Sequence, residues 1–174
     1  MTAVQIFEKY ATEEQKPKMR DLQRLFTETM LCKNDEGIKL IERDEPIPYA
    51  TEALAKWNGP IVYITGRLEQ IRNITQDQLR LFEFPLDNTD LYMFKEEDWK
   101  DGRLGEARRR ILDDIMNKHQ VLRVVNDFPG YFPAYRELGI SERIGLFYSR
   151  SYKHEDFISR GATRVVDSWK ELIN

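Results

Sequence analysis

The sequence predicts an α/β fold with a mostly parallel sheet. Six short runs rich in Val, Ile, Tyr and Phe read as strands, and several are apolar on both faces, as strands covered by helices on each side must be. Between them, apolar residues recur at three- and four-residue steps, the helical period. The composition, 41% hydrophobic and 33% charged over 174 residues, suits a chain with a substantial core and a well-solvated surface.

Taken in order, "VQIF" (4–7) is the first expected strand, and residues 17–31 follow as a helix with Met19, Leu22, Phe26 and Met30 on one face and Pro17 in the first turn. The polar "CKNDEGIKLIERDEP" then leads to a second helical pattern over 48–57, with Ala50, Ala53, Leu54 and Trp57 together. "IVYIT" (61–65) and "LYMF" (91–94) are expected strands, and residues 104–116 are a helix burying Leu104, Ile111, Leu112, Ile115 and Met116. "VLRVV" (121–125), "IGLFY" (144–148) and "TRVV" (163–166) complete the six strands. Alternation of this kind implies right-handed βαβ units. With no repeat, low-complexity tract or linker, residues 1–174 read as one domain, with 13–47 as a small helical insertion after the first strand.

Charge and composition exclude several classes. A net charge of −3 with both signs interspersed argues against a generic nucleic-acid binder, which needs a basic face to neutralise phosphates, and leaves room for a local basic patch. The single cysteine, Cys32, fits a reducing compartment and reads as a half-buried helix residue. No apolar run approaches the ~18 residues of a membrane span, so the expectation is a soluble cytoplasmic protein. His119 and His154 are far apart in sequence, without the spacing of a zinc site, and the phosphate-loop, dinucleotide and nucleophile-elbow signatures are absent. Trp99 and Tyr152 read as partly buried aromatics, and nothing in the sequence sets an oligomeric state.

Ligands of such sheets bind beyond the carboxyl ends of the strands. In "YITGR" (63–67) the strand is expected to end at Thr65, with Gly66 turning the chain into a helix near Leu68. A hydroxyl and free N–H groups there form an anion site, although plain N-capping by Thr65 fits equally. "VVNDFPGYFPAYRELGI" (124–140) delivers Asn126 and Asp127 to a strand end, then turns at Pro-Gly into a helix with Tyr135 and Leu138 inward. Asp127 there is either a cation ligand or a turn former. Phe128, Tyr131 and Phe132 read as packing residues. "GEARRRILDDI" (105–115) carries three arginines that point in different directions around a helix, and Arg108 or Arg109 would face a bound phosphate. The alternative for each is a solvated face balanced by Asp113 and Asp114.

In this order the motifs resemble those of the haloacid dehalogenase (HAD) phosphohydrolase superfamily. "IVYITGR" resembles its second motif, "RVVNDFPGYFPAYRELGI" its fourth, and "ATRVVDSWKELI" its last strand and helix, so that the resemblance spans residues 44–174. It implies a Rossmann-like three-layer α/β/α sandwich, a phosphoryl site at Thr65, Gly66 and Arg108, and Mg²⁺ held by Asp127 and Glu8.

The family's first motif, D-x-D-G-T, places a nucleophilic Asp and an acid/base Asp directly after the first strand. Here "VQIF" is followed by Glu8, Lys9, Tyr10, Ala11 and Thr12, and no D-x-D occurs elsewhere. Glutamate is one methylene longer, and displacing a nucleophile by about 1 Å costs ~10²-fold. Tyrosine, with a pKa near ~10, is a poor base toward water at neutral pH. Glu8 and Tyr10 therefore stand at degenerate catalytic positions. Three readings follow: a binding or regulatory protein for a small phosphorylated molecule or similar anion, an atypical Mg²⁺-dependent phosphatase using Glu8, or a different α/β protein whose strand exits imitate the pattern.

Overall fold

A computed structural model describes residues 12, 35–100, 104–148 and 151–173, with the side chains of Trp99 and Lys100 outside that set. The chain packs as two units, residues 1–44 and 45–174. In the first, helix α1 (Asp35–Glu42) carries Asp35 and Glu36 in its first turn and Lys39 in its last, complementing the helix dipole. Lys39 donates to Glu36 at 2.9 Å, and Ile41 is buried. A helix therefore occupies what the sequence presents as a polar stretch, because Ile38 and Ile41 supply an apolar stripe within it. The expected strand 4–7, the helix 17–31, Glu8, Tyr10 and Cys32 lie outside the described residues.

In the second unit, helix α2 (Ala50–Ala55) precedes strand β1 (Ile61–Leu68). A 3₁₀ turn, Glu69–Ile71, then leads into helix α3 (Arg72–Leu81) and strand β2 (Thr89–Phe94). Helices α4 (Glu96–Lys100) and α5 (Leu104–Lys118) come next, followed by strand β3 (Arg123–Asn126), helix α6 (Phe132–Glu137) and strand β4 (Glu142–Leu146). Helix α7 (His154–Ser159) and strand β5 (Arg164–Val166) close the alternation before a last 3₁₀ turn, Trp169–Leu172. All pairings are parallel: β1 with β2 in one sheet, and β3–β4–β5 in order in the other. The chain is an α/β protein, and each of the five expected strands that fall within the described residues forms. No helix among the described residues is long and apolar enough to cross a membrane.

Alternation along the three-stranded sheet sends neighbouring residues to opposite faces. Val124 and Val165 pack on one side against Leu112, Phe132, Tyr135, Ile140, Phe157 and Ala162. Val125, Ile144, Leu146 and Val166 pack on the other, against Ile47, Trp169 and Leu172. Both faces are covered, which is why Val124, Val125, Ile144, Leu146, Val165 and Val166 are apolar in succession across these strands. The first cluster is aromatic at its centre, with the Phe132 ring edge-on to Tyr135 at 5.6 Å and to Phe157 at 5.8 Å. Ile64 of β1 also packs against it. Trp57, expected inward on α2, is 37% exposed and instead lies under the Arg123 guanidinium at 4.6 Å.

Two glycines end the helices that build this cluster. Gly139 and Gly161 adopt positive φ, 73° and 110°. After each, the next residue donates back five positions, Ile140 to the Tyr135 carbonyl and Ala162 to the Phe157 carbonyl. This closure satisfies the last carbonyls and turns a buried apolar residue into the core. A third glycine is sterically required: a Cβ on Gly145 would stand 2.6 Å from the Phe157 ring, itself 1% exposed.

Gly145→Ala is expected to lower stability by about 1–3 kcal/mol, since the enclosed ring has nowhere to move. The urea midpoint measures it, and an unchanged midpoint contradicts this packing. A second expectation concerns alkaline pH. Burial pushes the Tyr63 hydroxyl up to about 12 from 10.0, and it donates to the Pro85 carbonyl at 2.9 Å. Between those two pH values the unfolded chain has released the proton and the fold has not, so stability falls as pH rises. Tyr63→Phe is expected to shrink that slope in urea titrations at about pH 10 to about pH 12. It will not abolish the slope, because burial raises Tyr135 as well.

Candidate functional site

Strand β3 is the element that builds a site. It runs through Asn126, and Asp127 follows as an exposed residue at its carboxyl end. The Asn126 carbonyl oxygen accepts from the Phe128 backbone N–H at 2.8 Å, fixing the turn into Pro129 and Gly130. Its amide nitrogen donates to the Tyr135 hydroxyl at 3.1 Å. The same hydroxyl accepts from Arg108 Nη2 at 2.6 Å. A phenol oxygen that accepts twice has used both lone pairs and keeps its own proton to donate. Burial raises the Tyr135 pKa, against the opposing pull of the Arg108 charge, so this group stays a neutral donor at neutral pH.

The three arginines of α5 separate by direction, as helical geometry requires. Arg109 is on the surface, paired with Asp113 at 3.0 Å and Glu137 at 3.2 Å. Arg110 reaches Asp98 at 3.1 Å, and the buried Asp98 carboxylate also accepts from the Lys95 backbone N–H ahead of α4. Arg108 alone of the three turns inward, and it is 7% exposed. Its guanidinium carbon sits 3.5 Å from the Tyr131 ring centroid. Its Nε is buried with no hydrogen-bond partner. Among the described residues no carboxylate pairs with it. A buried cation without a counter-charge is costly and keeps an unmet demand for an anion.

Thr65 and Gly66 depart from expectation. The strand does not end at Thr65: β1 continues to Leu68, and the register with β2 slips between Ile64 and Leu68. The Thr65 hydroxyl accepts from the Arg67 backbone N–H at 3.2 Å, so the irregularity is absorbed inside the strand rather than opening into a helix. Thr65 therefore caps no helix, while helical turns do begin next to Leu68 as expected, the 3₁₀ turn Glu69–Ile71 running directly into α3 at Arg72. Ile64, one residue earlier, packs against the cluster that holds Tyr135, which sets this segment beside the same core without a described contact to Arg108.

The cation ligands are sparse. Asp127 is the acidic residue at the β3 exit, and Asn126 has both amide atoms engaged. Among the described residues no group of three His, Cys, Asp or Glu side chains could hold a metal. The two histidines each pair with an aspartate, His119 with Asp90 at 3.1 Å and His154 with Asp167 at 2.7 Å. Surface concavities of about 540 Å³ over Arg109 and Asp113, and about 450 Å³ beside β2, are lined by side chains already in ion pairs such as Lys118 with Asp114.

Tyr131 and Tyr135 enter the site as groups that touch Arg108, where the sequence reading has them as packing residues. The spacing of Tyr131 and Tyr135, four apart across a helix start, was the available signal. No protein-family model, curated protein or solved structure matches this chain.

Tyr135→Phe removes the acceptor for the buried Arg108 and the partly buried Asn126 donors and is expected to cost about 1–3 kcal/mol in urea unfolding. Arg108→Met replaces an unpaired buried charge by an apolar chain of similar length. It is expected to leave stability unchanged or raised. A loss above about 1 kcal/mol for Arg108→Met would mark the guanidinium as a structural tie through Tyr131 and Tyr135 instead.

Proposed function

We propose that this chain is a HAD-like α/β protein that binds a phosphate-like ligand and has lost efficient phosphoryl transfer, acting as a binding or regulatory protein. The observation that carries the ligand class is the buried Arg108 guanidinium at the β3 exit, without a carboxylate partner among the described residues, with an orphaned Nε–H and the Tyr135 O–H beside it. Donors of this kind favour a compact oxyanion, because each N–H or O–H directed at an ionised acceptor makes a charge-assisted bond. Thr65 and Gly66 belong to the proposed site through the motif resemblance. The loss of catalysis rests on Glu8 and Tyr10 standing where the chemistry needs two aspartates. With a three-layer sheet of that family, Asp127 would be a Mg²⁺ ligand.

Two measurements test the reading. Inorganic phosphate is expected to bind the full chain in calorimetry and to lose binding in Arg108→Met; equal binding by both proteins removes Arg108 from the site. With Mg²⁺ and a generic phosphate ester, the natural chain is expected to show no turnover, and Glu8→Asp with Tyr10→Asp is expected to gain it. Turnover by the natural chain that vanishes in Glu8→Gln would establish an active phosphatase instead.

A further inference from the structure

The concavity of about 450 Å³ beside β2 runs along an open edge of that strand. Four successive residues of β2, 89–92, line it. Successive side chains of a strand point to opposite faces, so a hollow on one face meets only alternate residues, and one that meets all four follows the edge. β1 pairs with one side of β2, and among the described residues no strand pairs with the other. Residues 89–92 are partly or largely exposed while Met93 and Phe94 are buried, so the open stretch is the first part of the strand. At ~3.3 Å per residue it offers roughly 13 Å of edge, enough for about four residues of an added strand.

The walls of this hollow are basic. Arg72, Gln76 and Arg80 recur every four residues along α3 and so share one of its faces. Lys118, at the end of α5, lines the hollow as well. Against these three cations the lining holds one carboxylate, Asp90, and His119 lies 3.1 Å from it. The acidic partners of the cations, Glu69, Asp77 and Asp114, are not part of the lining. These are local pairs, three or four residues apart, of the kind that contributes little and yields to a better-placed acceptor. Proteins that guard an open edge set charges on the edge strand itself. Here the strand carries only Asp90, and the cations stand on neighbouring helices, where they frame the edge without filling it. A second copy of the chain would bring the same cations against them, and like charges repel. We infer that this edge takes an extended acidic peptide of a partner protein as an added strand, its main chain on β2 and its carboxylates toward Arg72, Arg80 and Lys118. The inference goes beyond the anion-binding reading of Arg108 and does not depend on it.

Fluorescence anisotropy on the full chain, with a labelled peptide of alternating valine and glutamate as probe, tests it. This peptide is expected to bind, and its valine–lysine counterpart to bind at least about tenfold more weakly. Methylating alternate peptide nitrogens in one phase removes the donors that face β2 and is expected to abolish binding, whereas the opposite phase is expected to keep it within about threefold. Arg72→Gln with Arg80→Gln, its fold checked by circular dichroism, is expected to weaken the acidic peptide about tenfold, and Asp90→Lys to tighten it. Absence of binding by the acidic peptide, equal binding of the two peptides, or indifference to the methylation phase overturns the added strand. A dimer in sedimentation that Asp90→Lys dissociates assigns the edge to a second copy. Tighter binding of a labelled oligothymidylate than of the acidic peptide assigns the hollow to nucleic acid. Either result overturns the proposal.

Discussion

Everything at the β3 exit depends on one fully buried hydroxyl. Tyr135 is 0% exposed, sits at the centre of the aromatic cluster, and accepts from Asn126 of β3 and Arg108 of α5. It thereby joins a strand end and two helices at a single oxygen. A phenol suits this position because its ring contributes core area while its oxygen serves as the polar terminus for both donors. Among the described residues the cost of holding Arg108 inside is met only in part, by the Tyr131 and Tyr135 rings and one side-chain hydrogen bond. The remaining unmet donor is what separates this arrangement from an ordinary packed core.

That oxygen is positioned by features far simpler than itself. Gly139 turns the chain after α6 so that Ile140 enters the same cluster as Tyr135. Gly145 lets Phe157 close against β4, and Phe157 in turn meets Phe132 edge-on. Parallel pairing of β3, β4 and β5 then brings Asn126, Leu146 and Val166 out at the same end of the sheet. The site is therefore a product of sheet direction and helix closure, and its chemistry comes from the few polar groups these leave at the exit.

Much of the fold is legible in the sequence because the responsible forces are local. The Val- and Ile-rich runs, the helical stripe of α5 and the Pro-Gly turn ahead of α6 each act over a few residues. The reading fails where a local rule meets a tertiary one. Thr-Gly after an apolar run favours a strand end, yet pairing with β2 carries β1 on to Leu68 through a register slip. Trp57 fits the apolar face of α2, yet Arg123 offers it a cation to cover, and it remains on the surface.

By itself the sequence determined the α/β class, the order of the five described strands and the exit at Asn126 and Asp127, since periodicity and turn chemistry are properties of the chain. It also determined that the paired aspartates of the resembling motif are missing. It did not decide which of three consecutive arginines turns inward, because in a helix whose neighbours are unknown all three directions are open. Only the packing of α5 against Tyr131 and Tyr135 made that choice, burying Arg108 while Asp113 and Asp98 hold Arg109 and Arg110 outside. A cation acquires a functional demand only when its surroundings deny it a partner, and those surroundings are tertiary.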